Sequence, residues 1–183
     1  MRDDQPMGFD EIDDKILLAL QEDARITNVD LAERVGLSPP ACLRRVAALE
    51  KSGAIKKYVT LLDQRILKLP ITMIVRISLD LLVSRRIEIF ENAVLKIPEI
   101  QTCYMTTGDA DYYLKIVLPS VESYETFVKN SLSPIEGVAS IKSTLALKEV
   151  KYTTALPLGR VETPIPDIKN RVTPKYKAVR RKK

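Results

Sequence analysis

The sequence contains no histidine and no tryptophan, two cysteines, six glycines and only 5% aromatic residues among its 183 positions. Without histidine it lacks the commonest general base near neutral pH and the commonest transition-metal ligand. Cys42 and Cys103 lie in apolar-patterned segments in different halves of the chain, which suits reduced structural thiols better than a disulfide framework and makes a poor zinc site. No nucleophile is spaced with a base. The chain is therefore expected not to be an enzyme, with no catalytic residue, no metal and no cofactor. No run approaches the roughly 18 apolar residues that a membrane helix needs. The acidic start MRDDQPMGFDEIDD lacks a basic region followed by an apolar signal segment, so a cytoplasmic protein with no membrane partner is expected.

What is present is enough apolar residue, 45%, to build one large core or two small ones. The net charge of +5 is unevenly spread. Residues 157–183 hold nine Lys/Arg against Glu162 and Asp167, a local +7, which leaves −2 for the rest. Within that rest, residues 34–57 hold six basic side chains against Glu50 alone, a local +5. A polyanion would feel those two patches.

The first patch lies in TNVDLAERVGLSPPACLRRVAALEKSGAIKKY, residues 27–58. Thr27 or Asn28 suits the cap of a helix with Leu31, Ala32 and Val35 on its inner face, and Gly36 ends it. Ser38 is placed to cap a second helix, with Pro39 at its first position where a missing N–H costs nothing. The spacing predicts Leu43, Val46 and Leu49 as that helix's buried stripe, and Gly53 as its stop. Two helices joined by a short glycine-containing turn, the second carrying Arg44 and Arg45, form a helix-turn-helix pattern whose second helix enters the DNA major groove. The same pattern suits any helical hairpin with solvated arginines. Upstream, Asp10 and Asp13 frame the start of a helix whose Ile12, Ile16, Leu17 and Leu20 complete a three-helix unit. Ile55 and residues 58–62 read as extended, a wing or a connecting strand, with Lys56 and Lys57 displayed beside the second helix.

Beyond Pro70 the pattern changes from helical stripes to alternation. Strands are expected at 71–80, 100–108, 111–119 and 138–150, and helices at 84–98 and 121–132, with a tight hairpin at Gly108-Asp109-Ala110. The order βαββαβ is that of a ferredoxin-like antiparallel sheet covered by helices on one face. The other face is left to solvent or a partner, so a homodimer is expected. The fold class is α+β, an N-terminal three-helix (winged) helix-turn-helix followed by a C-terminal ferredoxin-like domain. The boundaries are a flexible N-terminus at 1–9, the helix-turn-helix at 10–57, a linker strand and hinge at 58–70, the ferredoxin-like domain at 71–158 and a basic arm at 159–183.

The segments LAERVGLSPPACLRRVAALEKSGAIKKY, TTGDADYYLKIVLP and IKSTLALKEVKYTTALPL together resemble the Lrp/AsnC (leucine-responsive, feast/famine) transcription regulators over about residues 10–158. The resemblance implies double-stranded DNA as partner, dimers that assemble further to tetramers or octamers, and a free amino acid or similar small molecule as effector near a GD-x-D loop. Carried onto this sequence, Ser38, Pro40, Arg44 and Arg45 match the recognition-helix start, with Lys56 and Lys57 as auxiliary phosphate contacts. Thr107, Gly108, Asp109 and Asp111 match the effector loop. A glycine turn's amides and a carboxylate suit the two charged ends of an amino acid, although Gly-Asp is also ordinary hairpin chemistry. The chain departs from the family pattern in the 25 residues after Leu158. The competing reading is a metabolite-binding oligomeric module or a ferredoxin-like enzyme with incidental DNA binding. RNA binding by the open sheet is weaker still, because Tyr104, Tyr112 and Tyr113 do not form the expected aromatic pattern.

Overall fold

In a computed structural model, which describes residues 8–158, the chain forms two compact units, one of residues 8–61 with 151–158 and one of residues 62–150. The expected tail, apart from residues 8 and 9, and the expected basic arm at 159–183 lie outside the described residues.

The first unit holds three helices, α1 (Glu11–Glu22), α2 (Asn28–Val35) and α3 (Pro39–Ser52). Asp10 and Asp13 form a reciprocal capping box at the start of α1. Thr27 caps α2 by accepting the Asp30 N–H, and Gly36 ends it in the left-handed conformation (φ +73°), which a residue without Cβ adopts at no steric cost. Ile16, Ala19, Leu31, Ala32, Cys42 and Leu49 make the core. Burying these side chains, at roughly 0.8 kcal/mol per methylene, is what holds helices this short together.

Three expectations fail in this unit. Ser38 stands at the N-cap of α3 but its side chain makes no capping hydrogen bond. A cap hydroxyl bonds the N–H of the second or third helical residue; the second here is Pro40, which has none, and the hydroxyl does not bond the remaining donor, the Ala41 N–H. The buried stripe is also only partly as expected: Leu49 is buried and Val46 partly buried, but Leu43 is 58% exposed and Cys42, at 0%, takes its place. Finally, residues 54–62 form no strand, so no wing is present among the described residues. An extended segment needs a neighbouring strand to become a ladder, and Val59, Leu61 and Leu62 are exposed instead. Residues 151–158 join this unit through α1, where the Gln21 side-chain amide accepts the Leu156 N–H at 2.5 Å and donates to the Leu156 carbonyl at 3.3 Å.

The second unit runs β1 (Ile71–Leu79), α4 (Ser84–Val94), β2 (Ile100–Met105), β3 (Tyr112–Leu118), α5 (Val121–Phe127) and β4 (Val138–Leu145), with one wider π turn (Val128–Leu132) continuing α5. The sheet order is β2-β3-β1-β4, antiparallel throughout. Alternation sends Met73, Val75, Ile77 and Leu79 of β1, and Tyr112, Leu114, Ile116 and Leu118 of β3, into one core with Phe90, Val94, Tyr124, Phe127 and Leu132. The opposite face carries no helix among the described residues and displays Ile74, Arg76, Tyr104 and Tyr113. β4 stops five residues short of the expected Val150. Its last pairing is Leu145 with Met73, the Ala146 N–H bonds the Thr72 carbonyl, and beyond Ile71 there is no β1 left to pair with. Leu147 and Val150 are accordingly exposed.

Candidate DNA-binding face and ligand loop

The angle between α2 and α3 is set by short-range contacts. Asn28, the first residue of α2, donates through Nδ2 to the Pro39 carbonyl at 2.8 Å, which ties the two helix starts together. Pro39, in the first-turn position, and the left-handed Gly36 fix the turn between them. Ser38 and Pro40 are exposed at this turn, and Arg44 is exposed one helical turn further on, with Lys56 and Lys57 exposed beyond Gly53. Arg44, Lys56 and Lys57 make no ion pair among the described residues.

Arg45 is differently placed. Its Nη1 donates to Asp10 Oδ2 and to Asp13 Oδ1, both at 2.8 Å, so the structure spends it on the start of α1. The Asp13 amide first, and Arg45 after it, hold the Asp10 carboxyl below its ordinary value. Arg34 is likewise paired, with Glu22. The Asp10 and Asp13 partnership with Arg45 is not legible from spacing, because the residues stand 35 and 32 positions apart.

In the second unit the hairpin between β2 and β3 presents Thr107, Gly108 and Asp109 outward, with Gly108 at φ +142°. The loop is closed beneath them by the Thr106 N–H to the Asp111 carbonyl and by the Thr106 hydroxyl donating to the Ala110 carbonyl, both at 2.9 Å. Asp111 does not share their exposure. It is 8% exposed, its Oδ2 accepts the Leu79 N–H at 2.7 Å, and its own N–H donates to the Ile77 carbonyl. Asp109 instead receives Arg76 Nη1 at 3.1 Å and the Tyr113 hydroxyl at 3.4 Å, making a cation, an anion and a phenol on the open face of the sheet. Arg76 carries no motif; its one signal in the sequence is its outward phase in the alternation of ITMIVRISL.

On the other side of the sheet a cavity of about 180 Å³ is lined by Glu91, Val94, Leu95, Cys103, Met105 and Tyr112. The Tyr112 hydroxyl donates to Glu91 at 3.0 Å. Burial, and then the nearby Glu91 carboxylate, push the Cys103 thiol up to about 11, away from nucleophilic use. No group of three or more His, Cys, Asp or Glu is arranged to hold a metal among the described residues, and no helix there is long and apolar enough to cross a membrane.

Comparison with known proteins bears on both units. Residues 9–56 match the family described as winged helix-turn-helix DNA-binding, and residues 72–156 match the Lrp/AsnC ligand binding domain. The chain is 41% identical over 150 residues to the Bkd operon transcriptional regulator of Pseudomonas aeruginosa, covering 82% of this chain and 98% of that one. It is 40% identical over 148 residues to the leucine-responsive regulatory protein of Escherichia coli, covering 81% and 90%. Among solved structures, a transcriptional regulator from Neisseria meningitidis in complex with L-Met superposes with a TM-score of 0.80 at 39% identity, covering 83% of this chain and 98% of that one.

Proposed function

The chain belongs to the Lrp/AsnC family of helix-turn-helix transcriptional regulators, and from that premise we propose how it divides the work among its residues. Residues 10–57 bind double-stranded DNA, with α3 in the major groove. Residues 58–70 are the linker, and residues 71–158 bind effector and assemble the oligomer. Arg44 is the principal DNA contact. Ser38 and Pro40 lie against the backbone at the start of α3, and Lys56 and Lys57 add phosphate contacts, since most protein–DNA hydrogen bonds go to the backbone. The basic arm at 159–183 adds non-specific attraction.

The observation that carries this reading is the exposure of Arg44, without an ion pair among the described residues, on the second helix of the helix-turn-helix, flanked by exposed Lys56 and Lys57. A guanidinium in water without a carboxylate partner has no ion pair to break before it turns to a phosphate or a guanine edge. The effector is a free amino acid, bound at the loop of Thr107, Gly108 and Asp109. In support, this loop offers exposed amides beside a carboxylate and a guanidinium, complementary to a zwitterion, and the Neisseria relative was solved with L-Met. The protein acts in the cytoplasm, without catalytic chemistry or metal, as a homodimer or a larger even assembly. A dimer covers the helix-free sheet face and presents two α3 helices to a palindromic site.

The test is a retardation series on duplex DNA with Arg44→Ala. Loss of sequence preference with the fold retained supports the assignment, and undiminished specific binding removes it. A thermal-shift screen against free amino acids tests the effector, because a ligand of the native state raises stability by mass action.

A further inference from the structure

The two arginines at the centre of α3 are neighbours in sequence and opposites in environment. Around Arg45 the oxygens of two carboxylates are all taken. Asp10 Oδ1 accepts the N–H groups of Ile12 (3.0 Å) and Asp13 (2.9 Å), and Asp13 Oδ2 accepts the Asp10 N–H (3.3 Å). The two remaining oxygens, Asp10 Oδ2 and Asp13 Oδ1, both receive Arg45 Nη1 at 2.8 Å. Every carboxylate oxygen of the α1 capping box therefore has a donor, and a single guanidinium uses up the two that the backbone leaves over.

This cluster carries two negative charges against one positive. A phosphate approaching Arg45 would meet both carboxylates, whose combined charge with the guanidinium is −1, even though only Nη1 is engaged by them and Nη2 and Nε are not. The pairs are partly solvent-exposed, with the Arg45 side chain at 34%, so their contribution to stability is small. Their effect is geometric: they pin the middle of α3 to the first turn of α1 and so fix the rotation of α3 about its own axis. That rotation decides where Arg44, one residue earlier, points.

We propose that Arg45 is a positioning residue of the DNA-binding face, which holds α3 in the roll that presents Arg44 and does not itself neutralise a phosphate. This rests on the reading that α3 faces DNA, and it departs from the expectation that both arginines contact it. Asp13 then acts against its charge. Removing a negative charge beside a DNA-binding helix should tighten binding by simple electrostatics; here it should weaken binding, because Asp13 holds the arginine that orients the helix.

The experiment measures affinity of the full-length chain for a duplex it selects from a random pool, at several salt concentrations. Arg44→Ala should lower the slope of log K against log salt by about 0.9, the signature of one lost phosphate contact. Unchanged affinity and unchanged sequence preference in this variant would remove the DNA reading of α3 itself. Arg45→Ala should weaken binding roughly threefold to tenfold with the wild-type slope, Asp13→Asn should weaken it too, and the double variant should be no weaker than Arg45→Ala alone. A slope lowered by about 0.9 in Arg45→Ala, unaltered affinity in that variant, or tighter binding by Asp13→Asn would each overturn the positioning role. Where Arg45→Ala does not fold, Asp13→Asn decides alone, since weaker binding supports the role and equal or tighter binding refutes it.

Discussion

The carboxylate of Asp111 accepts the backbone N–H of Leu79 at 2.7 Å in a buried setting, which makes it a part of the sheet's end where β1 leaves the ladder. Asp109, two residues earlier, is exposed and faces Arg76. The two acids of one short loop therefore have different work. Asp111→Ala should cost about 1–3 kcal/mol, the usual consequence of leaving a buried N–H unsatisfied. Asp109→Ala should stay within about 0.5 kcal/mol in stability while abolishing the thermal shift produced by an amino acid ligand. Chemical denaturation of both variants, with and without ligand, separates the roles, and the reverse pattern would contradict them.

The phase of α3 is tested by its leucines. Leu49 is 3% exposed and Leu43 is 58% exposed. Leu49→Ala should destabilise by about 2–5 kcal/mol and Leu43→Ala by less than about 0.5 kcal/mol. Equal losses would mean that the stripe runs through Leu43 after all.

Gly137 sits at φ +93°, and a Cβ there would lie 2.9 Å from Arg86 Cδ. Arg86 is not at liberty to swing away, since it pairs with Asp80 and Glu136, and the Asp80 N–H bonds the Gly137 carbonyl at 2.8 Å. Gly137→Ala should cost about 1–3 kcal/mol, the range for a strained backbone position. A shift in denaturation midpoint equivalent to less than about 0.5 kcal/mol, the scatter of ordinary surface substitutions, would show that this corner yields.

Cys103 should be sluggish as a thiol. With its titration raised to about 11, only roughly one molecule in a thousand is thiolate at pH 8, and alkylation should run on the order of a hundredfold slower than for an ordinary cysteine. Iodoacetamide labelling of the native chain should accelerate as pH rises toward 11 and should reach the ordinary rate on denaturation. Native labelling at the ordinary rate near pH ~8 would contradict the desolvation of this thiol at the cavity wall, in a residue that is otherwise exposed.

Local signals carry far in this sequence. The Asp10 and Asp13 pair, Thr27, the glycines at 36 and 53 and the Gly108 hairpin each act within a turn or so of chain, so their roles are legible in the order of residues alone, as is the βαββαβ pattern. What fails is decided at longer range. Cys42 and Leu43 are both apolar, and only packing in the core with Ile16 and Leu31 decides which of them joins Val46 and Leu49. The length of β4 depends on where β1 ends, and the missing wing on the absence of a neighbouring strand among the described residues. Asp111 becomes structural, and Arg76 joins Asp109, through a sheet register that brings together residues 32 and 33 positions apart. Arg45 meets its carboxylates only where α1 and α3 pack.

That this chain reads DNA sequence through Arg44 on α3 is tested most directly by selection of the full-length protein against a pool of random duplexes, with Arg44→Ala run in parallel. The wild type should enrich a two-fold symmetric sequence whose half-sites are separated by about one helical turn, and Arg44→Ala should enrich none. Failure of the wild type to enrich any sequence, or enrichment of the same site by Arg44→Ala, would contradict it.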